Sequence, residues 1–328
     1  MRRIAAALFL LTLVFAARAD EPAVLDAKSA IARGAAFLAK DSLQWKKDHN
    51  CVSCHHAALV SWALREAKLR GHAVDEPVLA EMTKWVAESG SGKTGVPRPE
   101  GIPKALNMKA VLFALALGAD PQPDEVSKKG LELMLQTVKE DQNDDGVWNS
   151  WPDTRPPIFG HSDETATALA TLALLPEAAS GDDTAVAARD KGLKWLAEHE
   201  TTGDHQAICV RLILTVRASR PNEESQPLVK RLLENQSEDG GWGQIAEMAS
   251  DGHATGQALY ALSLAGVKPG ELTIVRGRQF LIKTQREDGG WPMTSRPCPP
   301  SNKGANNLIP ITGAGSSWAV LGLVRSTE

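Results

Sequence analysis

The sequence predicts an all-α protein built as six consecutive helical hairpins. Three observations carry that expectation. A leading motif of a basic residue, Gly, two variable positions, an aromatic and an aliphatic recurs along the chain. Each copy is followed by a second apolar segment, in which a small polar residue precedes small-Leu-x-small-Leu by three positions. No segment shows strand-type alternation of comparable strength.

The chain has 328 residues and opens with Arg2 and Arg3, an apolar run of 14 residues from Ile4 to Ala17, and then Ala17-Arg18-Ala19. That is the charged, apolar and small-x-small order of a secretory signal peptide. The run is shorter than the ~20 residues that span a bilayer. Left uncleaved, it would instead be an N-terminal membrane anchor. Residues 1–19 are expected to be removed, leaving one domain over 20–328 that is exported to the periplasm or secreted. Without Arg2, Arg3 and Arg18 the mature chain keeps 33 basic against 40 acidic residues. This mild acidity argues against nucleic acid and anionic membrane as main partners. No later stretch is apolar and long enough to span a membrane, and four cysteines are too few for a disulfide framework.

The first helix of each hairpin carries the basic-Gly motif. It reads Arg33-Gly34-x-x-Phe37-Leu38, Lys129-Gly130-x-x-Leu133-Met134, Lys191-Gly192-x-x-Trp195-Leu196 and Arg276-Gly277-x-x-Phe280-Leu281. Weaker copies centre on Trp85-Val86 and Arg231-Leu232. Behind the better copies come a Gln and an acidic turn ending in Gly-x-Trp: Gln236 to Trp242, Gln285 to Trp291, and a weaker version at Gly146-Val147-Trp148. Trp242 and Trp291 are 49 residues apart, and a period of this size marks a repeat architecture. The second helices begin at Thr165, Thr255 and Ser316, and in the same register at His55, Asn107 and, most loosely, His205. Their sequences are apolar nearly all round, so one helix of each pair is expected to be buried and the other half exposed.

Cys51-Val52-Ser53-Cys54-His55 is the attachment signature of c-type haem. Two thiols two residues apart on a helical turn can reach both vinyl groups of a porphyrin. The histidine that follows is placed to be the proximal iron ligand. Cys51, Cys54 and His55 are therefore the cofactor-binding candidates, with His55 on the iron. Met108, at the start of the next buried helix, is the candidate distal ligand, with His56, His161 and His253 as competitors. Two rival readings stay open: a Cys51–Cys54 disulfide, and a zinc site drawing on Cys51, Cys54, His55 and His56.

The basic-Gly motif, the Gln and Gly-x-Trp together resemble the QW repeat of the terpenoid-cyclase and protein-prenyltransferase α/α-toroid superfamily. The resemblance covers about residues 30–325, and the copy from Arg276 to Trp291 matches at every signature position. It implies an inner ring of buried helices, an outer ring, and QW elements that tie neighbouring hairpins together. Six hairpins imply one complete (α/α)6 barrel, without the second such domain of squalene cyclases. It further implies that the inner helices' first residues meet around one end of an apolar central cavity, suited to an isoprenoid or other apolar small molecule. A haem at Cys51–His55 would lie at that end.

His161-Ser162-Asp163-Glu164-Thr165-Ala166 resembles the Asp-x-Asp-Asp-Thr-Ala proton-donor motif of squalene–hopene cyclases, with Asp163 on the central aspartate and Glu164 on the next acidic residue. His161 replaces the first carboxylate, which that coupled cluster needs. Helix capping by Ser162 or Asp163 explains the same residues. The chain is 5% aromatic with one tyrosine, and its tryptophans fall mainly in the turns, so it offers few aromatic faces to a carbocation. The expected role is haem-based redox or electron transfer with a redox partner protein. The alternatives are an isoprenoid cyclase, isomerase or transferase using Asp163 as acid, and a non-catalytic lipid-binding or scaffold toroid.

Overall fold

The computed structural model describes residues 26–49, 51–89, 104–150, 158, 162–199, 201, 203–296 and 307–328. The signal-peptide expectation and His161 lie outside these residues. Among the described residues, helices alternate between two rings. The outer ring is α1 (Ala27–Asp48), α3 (Glu76–Ser89), α5 (Glu125–Glu140), α7 (Asp183–Glu198), α9 (Asn222–Glu234) and α11 (Leu272–Thr284). The inner ring is α2 (Leu59–Leu69), α4 (Met108–Gly118), α6 (Asp163–Ala179), α8 (His205–Arg217), α10 (Gly252–Leu264) and α12 (Ile309–Ser326). A π-helical turn, Cys54–Ala58, leads into α2. An isolated bridge between Ala105 and Asn149 is the single β pairing among the described residues.

Sequence chemistry starts these helices where they start. Asp26, Asn107, Asp124, Ser162, Asp182, Asp204 and Asp251 each cap a helix by accepting first-turn backbone N–H groups. Outer helices keep a polar face. The inner ones are buried nearly all round: α10 is buried without interruption from Gly252 to Leu262. Each inner helix packs on the next, and α12 packs back on α1 and α2, which closes the ring into an all-α (α/α)6 toroid.

The QW elements are the joints of this ring. In each, the Gln side-chain amide donates to two carbonyls, one in its own turn and one on the next outer helix. Gln142 bonds Gly146 O and Ala188 O, Gln236 bonds Gly240 O and Thr273 O, and Gln285 bonds Gly289 O and Ala30 O. The following indole N–H reaches back ten residues, from Trp148 to Val138 O, Trp242 to Leu232 O and Trp291 to Leu281 O. Each indole edge abuts the motif glycine of the next repeat: a Cβ built on Gly192, Gly277 or Gly34 would stand 2.8, 2.9 or 3.0 Å from it. The recurrent Lys/Arg-Gly pair is therefore a seat for the preceding tryptophan. Gln285 and Trp291 join α11 to α1 and so clasp the two ends of the ring.

The joints correct the inner-helix register. Backbone N–H groups of Trp148, Trp242 and Trp291 donate to Thr167, Thr255 and Ser316 hydroxyls. Helix α6 is thus anchored by Thr167, two residues after Thr165. These hydroxyls serve the joints rather than a polar ring around a cavity. The centre also differs from expectation. Trp62, Tyr260 and Trp318 on α2, α10 and α12 meet edge-to-face with centroids 5.4–6.1 Å apart, all buried. Helices α10 and α12 touch backbone to backbone, since a Cβ on Gly256 would collide with the Trp318 carbonyl. Three aromatic side chains of inner helices are thus buried against one another, where the sequence predicts tryptophans mainly in the turns.

Candidate functional site

The turn at residues 51–58 is built around Trp45. Asp41, Trp45 and His49 share one face of α1 at four-residue spacing. The Trp45 ring is stacked between His49, 3.8 Å away at 6°, and His56, 4.4 Å away at 3°, while His55 meets it edge-on at 4.8 Å. Its indole N–H donates to Cys51 O at 3.0 Å, pinning the loop that follows α1. Ser53 caps the turn by accepting the His56 N–H at 3.0 Å. The turn is wound with the wider i→i+5 bond, Ala58 N to Ser53 O and Leu59 N to Cys54 O, a geometry frequent at functional sites.

Cys51, Cys54 and His55 lie at the entry to α2. Both thiols are free, Cys51 exposed and Cys54 buried. Burial pushes the Cys54 thiol up to about 12, against the opposing charge of Lys109 at the start of α4. Helix α4 packs on this turn, and Met108 is buried as its first residue. His55 is half-buried, and its Nδ1 meets Nδ1 of His56, with Ser53 Oγ 3.3 Å away. His56 is fully buried, its ring lying in the space left by Gly313 of α12. Its Nε2 lies 2.9 Å from Asp41 Oδ2, at ion-pair distance though off the angle of a full hydrogen bond. A cleft of about 580 Å³ opens beside Asp41, between Phe37 of α1, Arg286 and Asp288, and the start of α12 at Leu308, Ile309 and Thr312.

A c-type haem needs two free thiols at this spacing and an imidazole, and Cys51, Cys54 and His55 are residues of those types. Among the described residues, no three His, Cys, Asp or Glu side chains are arranged to hold a metal ion.

Asp163 and Glu164 are both engaged in the scaffold. Asp163 is half-buried and accepts the Ser150 N–H at 2.6 Å and the Asn149 side-chain amide at 3.0 Å. Glu164 is buried and paired with Arg211 at 2.9 Å. The capping Ser162 accepts the Thr165 N–H.

A second polar cluster, not foreseen, sits at the starts of α8 and α10. Arg296 reaches Asp204 at 2.9 Å and Gln244 at 3.1 Å, and Gln244 donates to Asp251 at 2.5 Å. Burial pushes the Asp251 carboxyl up to about 6 and pulls His205 down to about 4. Burial also lowers His253 well below the ordinary histidine range. A third feature is a pocket of about 340 Å³ at the other end of the inner helices, lined by Trp62, Leu115, Leu131, Leu135, Leu172 and Ala173, with Arg217 at its edge.

These features define an all-α (α/α)6 toroid with a cysteine–histidine turn at the entry to its first inner helix. Residues 179–284 match the family described as the squalene-hopene cyclase N-terminal domain. Three solved structures share the fold at low identity. A variant of the type II terpene cyclase MstE from Scytonema, in complex with its substrate geranylgeranyl dihydroxybenzoate, is 11% identical with a TM-score of 0.59, over 92% of this chain and 98% of that one. A protein from Actinoplanes is 13% identical with a TM-score of 0.61, over 92% and 100% of the two chains. A glycosidase variant in complex with glucose is 13% identical with a TM-score of 0.58, over 91% and 99%. The fold thus occurs with unlike chemistries, and function has to be argued from the site.

Proposed function

We propose that this chain is an exported α/α toroid that carries one c-type haem on Cys51 and Cys54, with His55 as proximal ligand and a role in electron transfer. The observation that supports it most is the turn itself. Two free thiols and an imidazole lie within five consecutive residues, Cys51 to His55, at the entry to the first inner helix. When bound, haem supplies one-electron iron chemistry. Met108 is the proposed distal ligand, since α4 packs on the same turn. Because Cys54 is buried in the folded chain, thioether formation on it would precede closure of the fold around it. Export before folding fits that order.

The test is covalency. The mature protein, expressed with a c-type maturation system, should retain haem stain through denaturing electrophoresis, and Cys51→Ser with Cys54→Ser should abolish it. A stain-negative wild-type protein overturns the reading.

One observation favours a second reading. The fold resembles that of a terpene cyclase, and the pocket of about 340 Å³ is lined by apolar side chains together with Lys128, Glu132, Glu177 and Arg217. In this reading Asp163 is the acid, although it stands at the start of α6 and the pocket lies toward the helix's other end. Its carboxylate accepts two N–H bonds in the scaffold. Turnover of a polyprenyl substrate that disappears in Asp163→Asn would decide for it.

A further inference from the structure

The inner ring is packed unevenly. Helices α10 and α12 touch backbone to backbone at Gly256, whereas the C-terminal ends of α4 and α6 leave a pocket of about 340 Å³ between them and α5. We propose that this pocket binds a medium-chain fatty acid, its chain in the pocket and its carboxylate on Arg217. The volume is at the lower end of the ~300–1,000 Å³ of ligand pockets, room for one short chain. The apolar wall runs from Trp62, at the aromatic centre, past Leu115 and Leu172 to Leu131 and Leu135 of α5. Gly118 stands at the rim, where an added Cβ would meet nothing within 4 Å, so the mouth is open. The site is the pocket of the isoprenoid reading without its chemistry: Asp163 takes no part. It lies at the opposite ends of the inner helices from Cys51–His55.

Charge selects the end group. Two of the four charged side chains at the pocket are already paired: Glu177 stands 3.1 Å from Lys139, and Lys128 stands 2.6 Å from Glu125. Glu132 is exposed on the outer helix α5. Arg217, in the last turn of α8, donates to the hydroxyl of buried Tyr260 at 2.6 Å. A phenol holds the guanidinium in place without cancelling its charge, and among the described residues no carboxylate is paired with it. A guanidinium has five N–H donors, so Arg217 can keep Tyr260 and still grip a carboxylate with two parallel bonds. Tyr260 in turn meets Trp62 edge-to-face at 6.1 Å, so one aromatic centre supports both the charged end and the apolar wall. A basic residue in a helix's last turn also suits the helix dipole and needs no ligand for that. Binding measurements separate the two roles.

The experiment is isothermal titration calorimetry of the mature full chain with decanoate, decanol and decyltrimethylammonium. Decanoate should bind one to one, about tenfold more tightly than decanol, and the ammonium should not bind. From hexanoate to decanoate, each added methylene should tighten Kd about fourfold. Arg217→Gln should weaken decanoate about tenfold and leave decanol unchanged, and Arg217→Lys should recover part of the loss. Gly118→Trp, which puts a bulky side chain at the open rim, should weaken acid and alcohol alike. Absence of decanoate binding overturns the site, as does equal binding of the ammonium amphiphile. Wild-type decanoate affinity in Arg217→Gln, with only its melting temperature lowered, assigns Arg217 to the helix end and overturns it too. Unchanged binding in Gly118→Trp overturns the location. A colourless protein that binds decanoate sinks the haem reading and leaves this site standing; a haem-loaded protein that ignores decanoate does the reverse. Decanoate binding without polyprenyl turnover upholds the site against the isoprenoid reading.

Discussion

Replacing Trp291 with phenylalanine should loosen the joint that closes the ring while leaving the ring's other joints intact. Trp291 is fully buried, its Nε1 donates to Leu281 O at 2.8 Å, and its edge lies against Gly34 of α1. Phenylalanine removes the N–H and leaves the Leu281 carbonyl with the Gln285 backbone N–H as its partner, a loss of about 1 kcal/mol. It also gives up part of the ~150–250 Å² that a large aromatic buries. A deficit of ~50 Å² adds about 1 kcal/mol. The sum, about 2 kcal/mol, is a sizeable share of the ~5–15 kcal/mol that holds a domain together. At ~2–4 °C per kcal/mol, the melting temperature should fall by roughly 4–8 °C. Trp148→Phe makes the same local loss at an internal joint, where the partner carbonyl is Val138 O and the seat is Gly192. The two variants should melt alike and differ in native-state hydrogen exchange. Protection should drop in α1, α11 and α12 together for Trp291→Phe, and around α5 to α7 for Trp148→Phe. An unchanged melting temperature for Trp291→Phe, or exchange rising in α11 alone, would refute the claim that this joint closes the ring.

Other consequences follow from the same geometry. Gly289 has φ +91° and an ideal Cβ there would collide with Arg33 O, so Gly289→Ala should cost about 2 kcal/mol or more; an unchanged urea midpoint would count against the clasp. Burial raises Asp251 from 3.8 to about 6, so its contribution to stability is present at low pH and lost as pH rises through 6. Burial lowers His205 from 6.5 to about 4, and His253 in the same direction, so their contributions are present above 6.5 and lost as pH falls. Asp251→Asn keeps a capping side chain and removes the opposing carboxyl. Stability, read by urea titration, should then rise between pH 4 and 6 by on the order of 2–3 kcal/mol more than in wild type; parallel profiles would contradict this. Asp163→Asn should destabilise through the Ser150 and Asn149 contacts, by about 1 kcal/mol, and leave haem attachment untouched; loss of haem in that variant would tie the two sites together.

The hairpins were legible because their signals are local. The basic-Gly pairs, Gln and Gly-x-Trp sit at fixed offsets, and the structure explains each by a neighbouring repeat's indole or carbonyls. Helix α6 was read two residues out of register because it carries Thr165, Thr167 and Thr171, and only the Trp148 N–H distinguishes among them. The aromatic centre was not legible. Trp62, Tyr260 and Trp318 lie on helices apolar all round, whose sequences give no period that says which face turns inward. Cys51, Cys54 and His55 were legible as a contiguous motif. Their support was not, although Asp41, Trp45 and His49 at four-residue intervals did mark one face of α1. The cluster of Asp204, Gln244, Asp251 and Arg296 joins residues up to 92 positions apart, a separation at which no spacing rule operates.

The measurement closest to the centre of this account is the absorption spectrum of the purified mature protein, made in a host that matures c-type cytochromes. A Soret band that stays with the polypeptide after denaturation and acid extraction, and is missing from Cys51→Ser, is the predicted result. A colourless protein, or a pigment that washes out of the wild-type chain, would contradict it and leave the cysteine–histidine turn as scaffold.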